Sequence, residues 1–284
     1  MSPTVLASQS AIAMGPSTAQ AQFPASFDLS SLDGTNGFVI NGIDAADYSG
    51  LSVSGAGDVN GDGIDDLIIG ASGADSNVNS EAGESYVIFG QNNGFSASFD
   101  LSDLDGTNGF VINGIDESDR IGESVSGAGD VNGDGIDDLI IGAANADPNG
   151  NSTAGESYVV FGRDSGFSSS LNLSTLDGTN GFALNGINEF DLSGYSVSGA
   201  GDVNGDGFDD LIIGASLADP NGNDSAGQVY VVFGQSGAFS SSLDLNTLDG
   251  SNGFVLNGID ALDCSGRAVS GAGCLLYTSD AADE

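Results

Sequence analysis

Apolar runs of fixed composition punctuate this chain at a constant interval. Leu-Ile-Ile-Gly-Ala stands at 67–71, 139–143 and 211–215, each copy 72 residues after the last. No polar residue interrupts these runs, so they read as strands buried on both faces. Shorter runs surround each one. In the span 109–180, β-rich runs at 109–115 and 123–128 precede the buried run, and a fourth at 157–161 follows it. Gly, Asn and Asp break the chain between them. Four short strands per 72 residues predict an all-β repeat. No helical period is sustained, and residues 171–176 have room for one helical turn at most. A long fixed period means one structural unit copied. Four-stranded antiparallel blades of a β-propeller fit this period, and the rival β-solenoid repeats in far fewer residues. Full units run over 37–108, 109–180 and 181–252, with a partial one at 253–273. The expected architecture is an incomplete ring of about three and a half blades.

The polar segment before each buried run is as regular as the run itself. Gly-Asp-Val-Asn-Gly-Asp-Gly-(Ile/Phe)-Asp-Asp leads into it three times. In the first copy, Asp58, Asn60, Asp62 and Asp66 hold positions one, three, five and nine of a loop. Odd spacing lets their oxygens converge while Val59 and Gly61 point away. Gly63 at position six allows a sharp turn, and Ile64 at position seven offers a backbone carbonyl. Asp130, Asn132, Asp134, Ile136 and Asp138 repeat the set, as do Asp202, Asn204, Asp206, Phe208 and Asp210. Such all-oxygen loops suit a hard cation, with Ca2+ first among them at about three sites. An EF-hand is excluded, because position twelve is Ile69, Ile141 or Ile213 inside a predicted strand rather than a glutamate. The competing reading is an acidic turn without metal. If calcium binds, a structural clamp between two strands is the expected role.

The longer string Ser-Val-Ser-Gly-Ala-Gly-Asp-Val-Asn-Gly-Asp-Gly-x-Asp-Asp-Leu-Ile-Ile-Gly-Ala resembles the FG-GAP repeat of integrin alpha subunits and of many bacterial surface proteins, over residues 37–273. That resemblance implies a propeller blade with a calcium loop between its first two strands, in a protein of adhesion or extracellular interaction. Two departures stand out. The Phe-Gly of the family appears here as Ser49-Gly50, Ile121-Gly122 and Ser193-Gly194. Its Gly-Ala-Pro appears as Gly70-Ala71-Ser72, Gly142-Ala143-Ala144 and Gly214-Ala215-Ser216. These departures weaken any transfer of integrin-like ligand binding and leave the fold reading intact.

Charge narrows the function classes. Forty-one acidic residues face three basic ones, Arg120, Arg163 and Arg267, for a formal charge of −38. A basic surface for nucleic acid or anionic lipid does not exist here. No apolar run is long enough to span a membrane as a helix. Two carboxylates about 4 Å apart repel by roughly 4 kcal/mol at an effective dielectric near 20, which a bound cation would relieve. Three calcium ions cancel only six of the 38 negative charges, so most of the excess is a solvated acidic surface suited to a salty or extracellular setting. Histidine is absent, which removes Ser-His-Asp and Cys-His catalysis. The two cysteines, Cys264 and Cys274, make no disulfide framework.

Other features have plainer readings. Asp47, Asp119, Asp191 and Asp263 recur as turn caps, with a second cation site as the rival reading. Asn151, Asn172 and Asn223 open Asn-x-Ser/Thr glycosylation patterns that an Asn- and Ser-rich chain generates by chance. Residues 1–22 make a poor secretory signal and are expected to be a poorly ordered leader or linker, with the array beginning near Phe23. At Gly273 the fourth loop is due, but 274–284 reads Cys-Leu-Leu-Tyr-Thr-Ser-Asp-Ala-Ala-Asp-Glu. That segment looks like one frame of a transposon-end sequencing adapter and is expected to be non-native. The combined expectation is a non-enzymatic, calcium-binding propeller module of a larger extracellular or cell-surface protein. Its partner would be a protein or carbohydrate. The alternatives are the scaffold of a secreted hydrolase and a passive spacer; no active-site constellation stands outside the repeats.

Overall fold

The computed structural model describes residue 26 and residues 28–271. The expectations for the leader and for 274–284 lie outside these residues. The strands are β1 (Val39–Asn41), β2 (Val53–Gly57), β3 (Asp66–Ala71), β4 (Glu84–Ile88), β5 (Ser98–Asp100), β6 (Gly109–Asn113), β7 (Ser124–Gly129), β8 (Asp138–Ala143), β9 (Glu156–Val160), β10 (Ser170–Asn172), β11 (Gly181–Asn185), β12 (Ser193–Gly201), β13 (Asp210–Ala215), β14 (Gln228–Val232), β15 (Ser242–Asp244) and β16 (Gly253–Asn257). Helical geometry among the described residues is confined to three-residue 3-10 turns, one of them Leu173–Thr175. The molecule is all-β, as the repeat predicts.

The three larger sheets are propeller blades. Blade I is β2-β3-β4-β6, blade II is β7-β8-β9-β11 and blade III is β12-β13-β14-β16, all paired antiparallel. The outer strand of each blade is the run that opens the next 72-residue unit as counted from Gly109. Gly109 faces Ile88 and Asn113 faces Glu84 across the β4–β6 ladder. The sheet therefore closes across the boundary between sequence units, with its first three strands in one unit and its fourth from the next. A fifth strand joins the outer edge in parallel: β10 pairs with β6, and β15 with β11. Sequence reading misses it, because three residues with polar ends carry no alternation, and parallel pairing leaves no local trace. β1 and β5 form the same parallel edge pair on their own.

The core lies between blades. β8 is buried along its whole length, as its uninterrupted apolar run requires. Val87, Ile68 and Phe110 of blade I pack in one cluster with Leu139, Ile141 and Tyr158 of blade II. Blades II and III repeat this with Ile140, Val159 and Phe182 against Leu211, Ile213 and Tyr230. Phe110 stacks on Phe167 at 4.2 Å between centroids, and Phe182 on Phe239 at 4.4 Å. Such pairs add roughly 0.5–1.5 kcal/mol beyond the area they bury. Hydrogen bonds fix the blade-to-blade register: Val125 N donates to Ser52 Oγ, Val197 N to Ser124 Oγ and Val269 N to Ser196 Oγ, each at 3.0 Å. Glycine is required where backbones touch. A Cβ on Gly142 would run into the carbonyl of Gly194 on the next blade.

This arrangement sorts the connections onto two ends. The β2–β3, β7–β8 and β12–β13 turns, which hold the acidic loops, lie at one end. The β3–β4 connection (72–83), the β6–β7 connection (114–123) and their repeats lie at the other.

Candidate functional site

The structure puts all three acidic loops in one geometry. In the first, Asp58 accepts from the backbone N–H of Asp62 at 3.0 Å and of Gly63 at 2.7 Å. Asn60 Oδ1 accepts from the same Asp62 N–H at 2.9 Å, and Asp62 Oδ1 accepts from Ile64 N–H at 2.9 Å. The Asn60 amide donates to Asp62 Oδ2 at 3.1 Å. The side chains at positions one, three and five are thus drawn to the inside of one tight turn, which Gly63 makes at φ +86°. Asp130, Asn132 and Asp134 repeat these bonds, as do Asp202, Asn204 and Asp206. Ile64, Ile136 and Phe208 occupy position seven, between the turn glycine and the strand.

Position nine does something the sequence did not disclose. Asp66 is buried, and its two oxygens accept from Val59 N at 3.0 Å and Gly90 N at 2.8 Å. Asp138 likewise holds Val131 and Gly162, and Asp210 holds Val203 and Gly234. This aspartate staples the start of the acidic loop to the end of the third strand of its own blade. Burial pushes the Asp66 carboxyl up to about 6 and Asp138 up to about 8, with the charges at positions five and one adding to it. Asp210 is raised for the same first reason.

The residues fit a hard cation in type: oxygen donors only, on a nine-residue turn with no basic side chain in it. In geometry the carboxylates are turned to backbone N–H groups. Among the described residues, no three acidic, Cys or His side chains converge as a cage.

The opposite end has the same backbone and different side chains. Asp47, Asp191 and Asp263 accept from the N–H three residues earlier, the turn-capping role expected for them. Asp119 is buried, and burial together with the charges of Asp116, Glu156 and Asp147 pushes its carboxyl up to about 7. Tyr86 donates its hydroxyl to Glu84 at 2.7 Å, and Tyr158 donates to Glu156. Both glutamates are raised, burial being the main cause. Around these repeated groups the rim varies. Ala46, Ser118, Phe190 and Leu262 share one position at φ 69–75°, and Tyr48, Arg120, Leu192 and Cys264 share another at φ 51–58°. Phe190 is 60% exposed and Tyr48 66%. Arg120 pairs with Glu81, the one ion pair among the described residues. A cleft of about 850 Å3 opens on this rim beside Asp44, Asp47, Tyr48, Leu51 and Glu84.

All three glycosylation patterns have structural work for their asparagines. The amide of Asn151 donates to Ile187 O and that of Asn223 to Ile259 O, and Asn79, which opens no such pattern, does the same to Ile115 O. Asn172 caps the turn at Ser174.

Compared with known proteins, the chain matches the FG-GAP repeat model at residues 49–88, 122–160 and 193–232, the first three strands of each blade with the acidic loop. It is 31% identical over 183 residues to integrin alpha-4 of Xenopus laevis, covering 64% of this chain and 16% of that protein. Integrin alpha-5 of the same species is 32% identical over 193 residues, 66% of this chain and 16% of its own length. A phosphatidylinositol-glycan-specific phospholipase D of Bos taurus is 33% identical over 190 residues, 66% of this chain and 21% of the relative. The chain therefore spans about a fifth or less of the length of these curated relatives. With blade, acidic loop and repeat period in agreement, the chain carries three FG-GAP repeats similar to those of integrin alpha subunits.

Proposed function

We propose that this chain is a calcium-clamped propeller module of an extracellular or cell-surface protein, and that its variable rim meets a protein or carbohydrate partner. The observation that carries the reading is the contrast between its ends. Positions one, three, five and nine of the loops are identical in three copies, while the opposite rim keeps its backbone and changes its side chains. Sequence identity in a loop with only oxygen donors suits a shared structural ligand. Diversity on one conserved backbone suits recognition, because loops on a rigid scaffold vary at little cost to the fold.

Asp58, Asn60, Asp62, the Ile64 carbonyl and Asp66 would hold the first ion, and their repeats the second and third. Bound calcium would neutralise the carboxylate cluster and tie the turn to the strand through position nine. Extracellular modules often bind near 10⁻⁴–10⁻³ M. At ten times the dissociation constant each site adds about 1.4 kcal/mol, or about 4 kcal/mol for three. Thermal melts in calcium and in EGTA, with metal analysis of the dialysed protein, test this. The expected gain is roughly 10 °C. An unchanged melting temperature with no bound metal sinks the calcium reading. A panel of glycans and matrix proteins tests the rim: serine at Tyr48 and Phe190 should abolish any binding found, and loss on loop substitution alone would move the contact to the other end.

The match to a phospholipase D supports a second reading, in which the propeller is the scaffold of a secreted hydrolase. Every strong carboxylate cluster here is repeated, whereas active sites are singular, so the chemistry would lie in another part of that larger protein.

A further inference from the structure

The eighth position of each acidic loop has no part in the ligand set, yet it is aspartate in all three copies: Asp65, Asp137 and Asp209. The structure gives two of them a partner on another blade. Asp137 Oδ2 accepts from the backbone N–H of Asp58 at 2.8 Å, 79 residues away. Asp209 Oδ2 accepts from Asp130 N–H at 2.9 Å, with the same separation. The backbones bond in the reverse direction, Asp137 N to Asp58 O at 3.2 Å and Asp209 N to Asp130 O at 3.1 Å. Each loop's first ligand is thereby gripped by the loop of the following blade. Gly57 and Gly129, at φ +73° and +72°, leave the space that this carboxylate fills; a Cβ there would strike Asp137 or Asp209. A second brace follows the same path, from Arg163 N to Val59 O at 2.9 Å and from Gln235 N to Val131 O at 3.0 Å.

These contacts are unequal along the chain. Asp137 and Asp209 are half-buried under the preceding loop, whereas Asp65 is exposed. Loops I and II are gripped from the next blade. Asp202, the first residue of loop III, has no such partner among the described residues.

Resting on the calcium reading above, we propose that Asp137 and Asp209 are positioning residues for the metal loop of the preceding blade. Loops I and II then bind calcium more tightly than their own ligand residues alone would allow. The physical basis is preorganisation. The first-ligand backbone must be held in place for the turn to present its oxygens, and a charge-assisted hydrogen bond from a neighbouring rigid blade holds it before the ion arrives. The charge of Asp137 also lies beside loop I, but its carboxylate is oriented to the N–H of Asp58, so the geometric effect dominates.

Calcium titration calorimetry on the full 284-residue chain tests this. Asp137→Ala should weaken one site about tenfold, the scale of one charge-assisted bond. Asp137→Asn, which keeps an acceptor oxygen, should stay within about twofold of the parent. The site affected is identified by first removing loop I with Asp62→Ala; in that background Asp137→Ala should leave the remaining two sites unchanged. If the truncation fails to fold, Asp137→Leu against Asp137→Asn makes the same comparison without a cavity. An Asp137→Ala chain that binds as the parent does would overturn the proposal. So would an Asp137→Asn as weak as the alanine, or a weakened second loop in the Asp62→Ala background. A parent that binds no calcium at millimolar concentration removes the calcium reading itself, an outcome distinct from the other three.

Discussion

The two ends of the blades solve opposite problems with the same strands. At the acidic-loop end, sequence is held constant and every side chain at positions one, three, five and nine has a named backbone partner. At the other end, backbone is held constant while side chains change. Phe190 and Ala46 sit at one φ, as do Arg120 and Leu192 at another. Left-handed conformations for such residues cost roughly 1–2 kcal/mol each. The capping aspartates and the Tyr–Glu pairs beneath hold the rim in that shape against the strain. One end is thus determined by its own side chains and the other by its support. Substitutions should separate them by size of effect.

The largest effect belongs to position nine. Asp138→Ala leaves the N–H groups of Val131 and Gly162 buried without an acceptor, at about 1–3 kcal/mol each. In EGTA, where no metal contributes, the melting temperature should fall by roughly 10 °C. A fall of under 3 °C would mean that position nine acts only through a metal and that the staple is dispensable.

This staple marks the boundary of what the chain's pattern discloses. Leu139–Ile140–Ile141 reads as a doubly buried strand because burial leaves an apolar run, and the loops read as cation turns because their spacing repeats. The partners of Asp138 at Gly162 and of Asp137 at Asp58 lie 24 and 79 residues away, beyond any local period. One signal was present: an aspartate at position eight in every copy, with no ligand role to explain it. The outer strand's membership of the preceding sheet is hidden for a similar reason. Gly109 to Asn113 looks the same whichever neighbour it pairs with, and only the β4–β6 register decides.

The next effect lies at the variable end. Asp119 has a folded value raised to about 7 by burial and by Asp116, Glu156 and Asp147. Its proton is bound more tightly folded than unfolded, so this contribution is full below the unfolded carboxylate range and is lost as pH rises through about 7. In EGTA, stability should therefore decline between pH 5 and pH 8. Asp119→Asn should flatten the decline in part, the raised Asp66, Asp138, Asp210, Glu84 and Glu156 contributing to what remains. Denaturant titrations at the two pH values read this directly, and an identical slope in the variant would refute the assignment to Asp119.

A smaller effect returns to the acidic loops. Asp134 is exposed, and its oxygens serve only its own turn. In EGTA, Asp134→Ala should change stability by less than about 0.5 kcal/mol, as ordinary surface substitutions do. In calcium at ten times the dissociation constant it should cost about 1.4 kcal/mol through loss of one site. The calcium dependence of the difference is the measurement. Equal losses in both buffers would make position five a structural turn residue, like position nine.

The smallest effect is the sharpest test of the rim. Phe190 is exposed at φ +70°, so glycine there relieves backbone strain of about 1 kcal/mol. Glycine also frees the unfolded chain, at a cost of about 0.5–1 kcal/mol. The two terms nearly cancel, and Phe190→Gly should move the melting temperature by no more than about 2 °C. A rim that tolerates loss of an exposed aromatic side chain without a stability penalty keeps that side chain for something other than the fold. A fall above 5 °C would instead make Phe190 a packing residue, and the contrast between the two ends would then rest on the acidic loops alone.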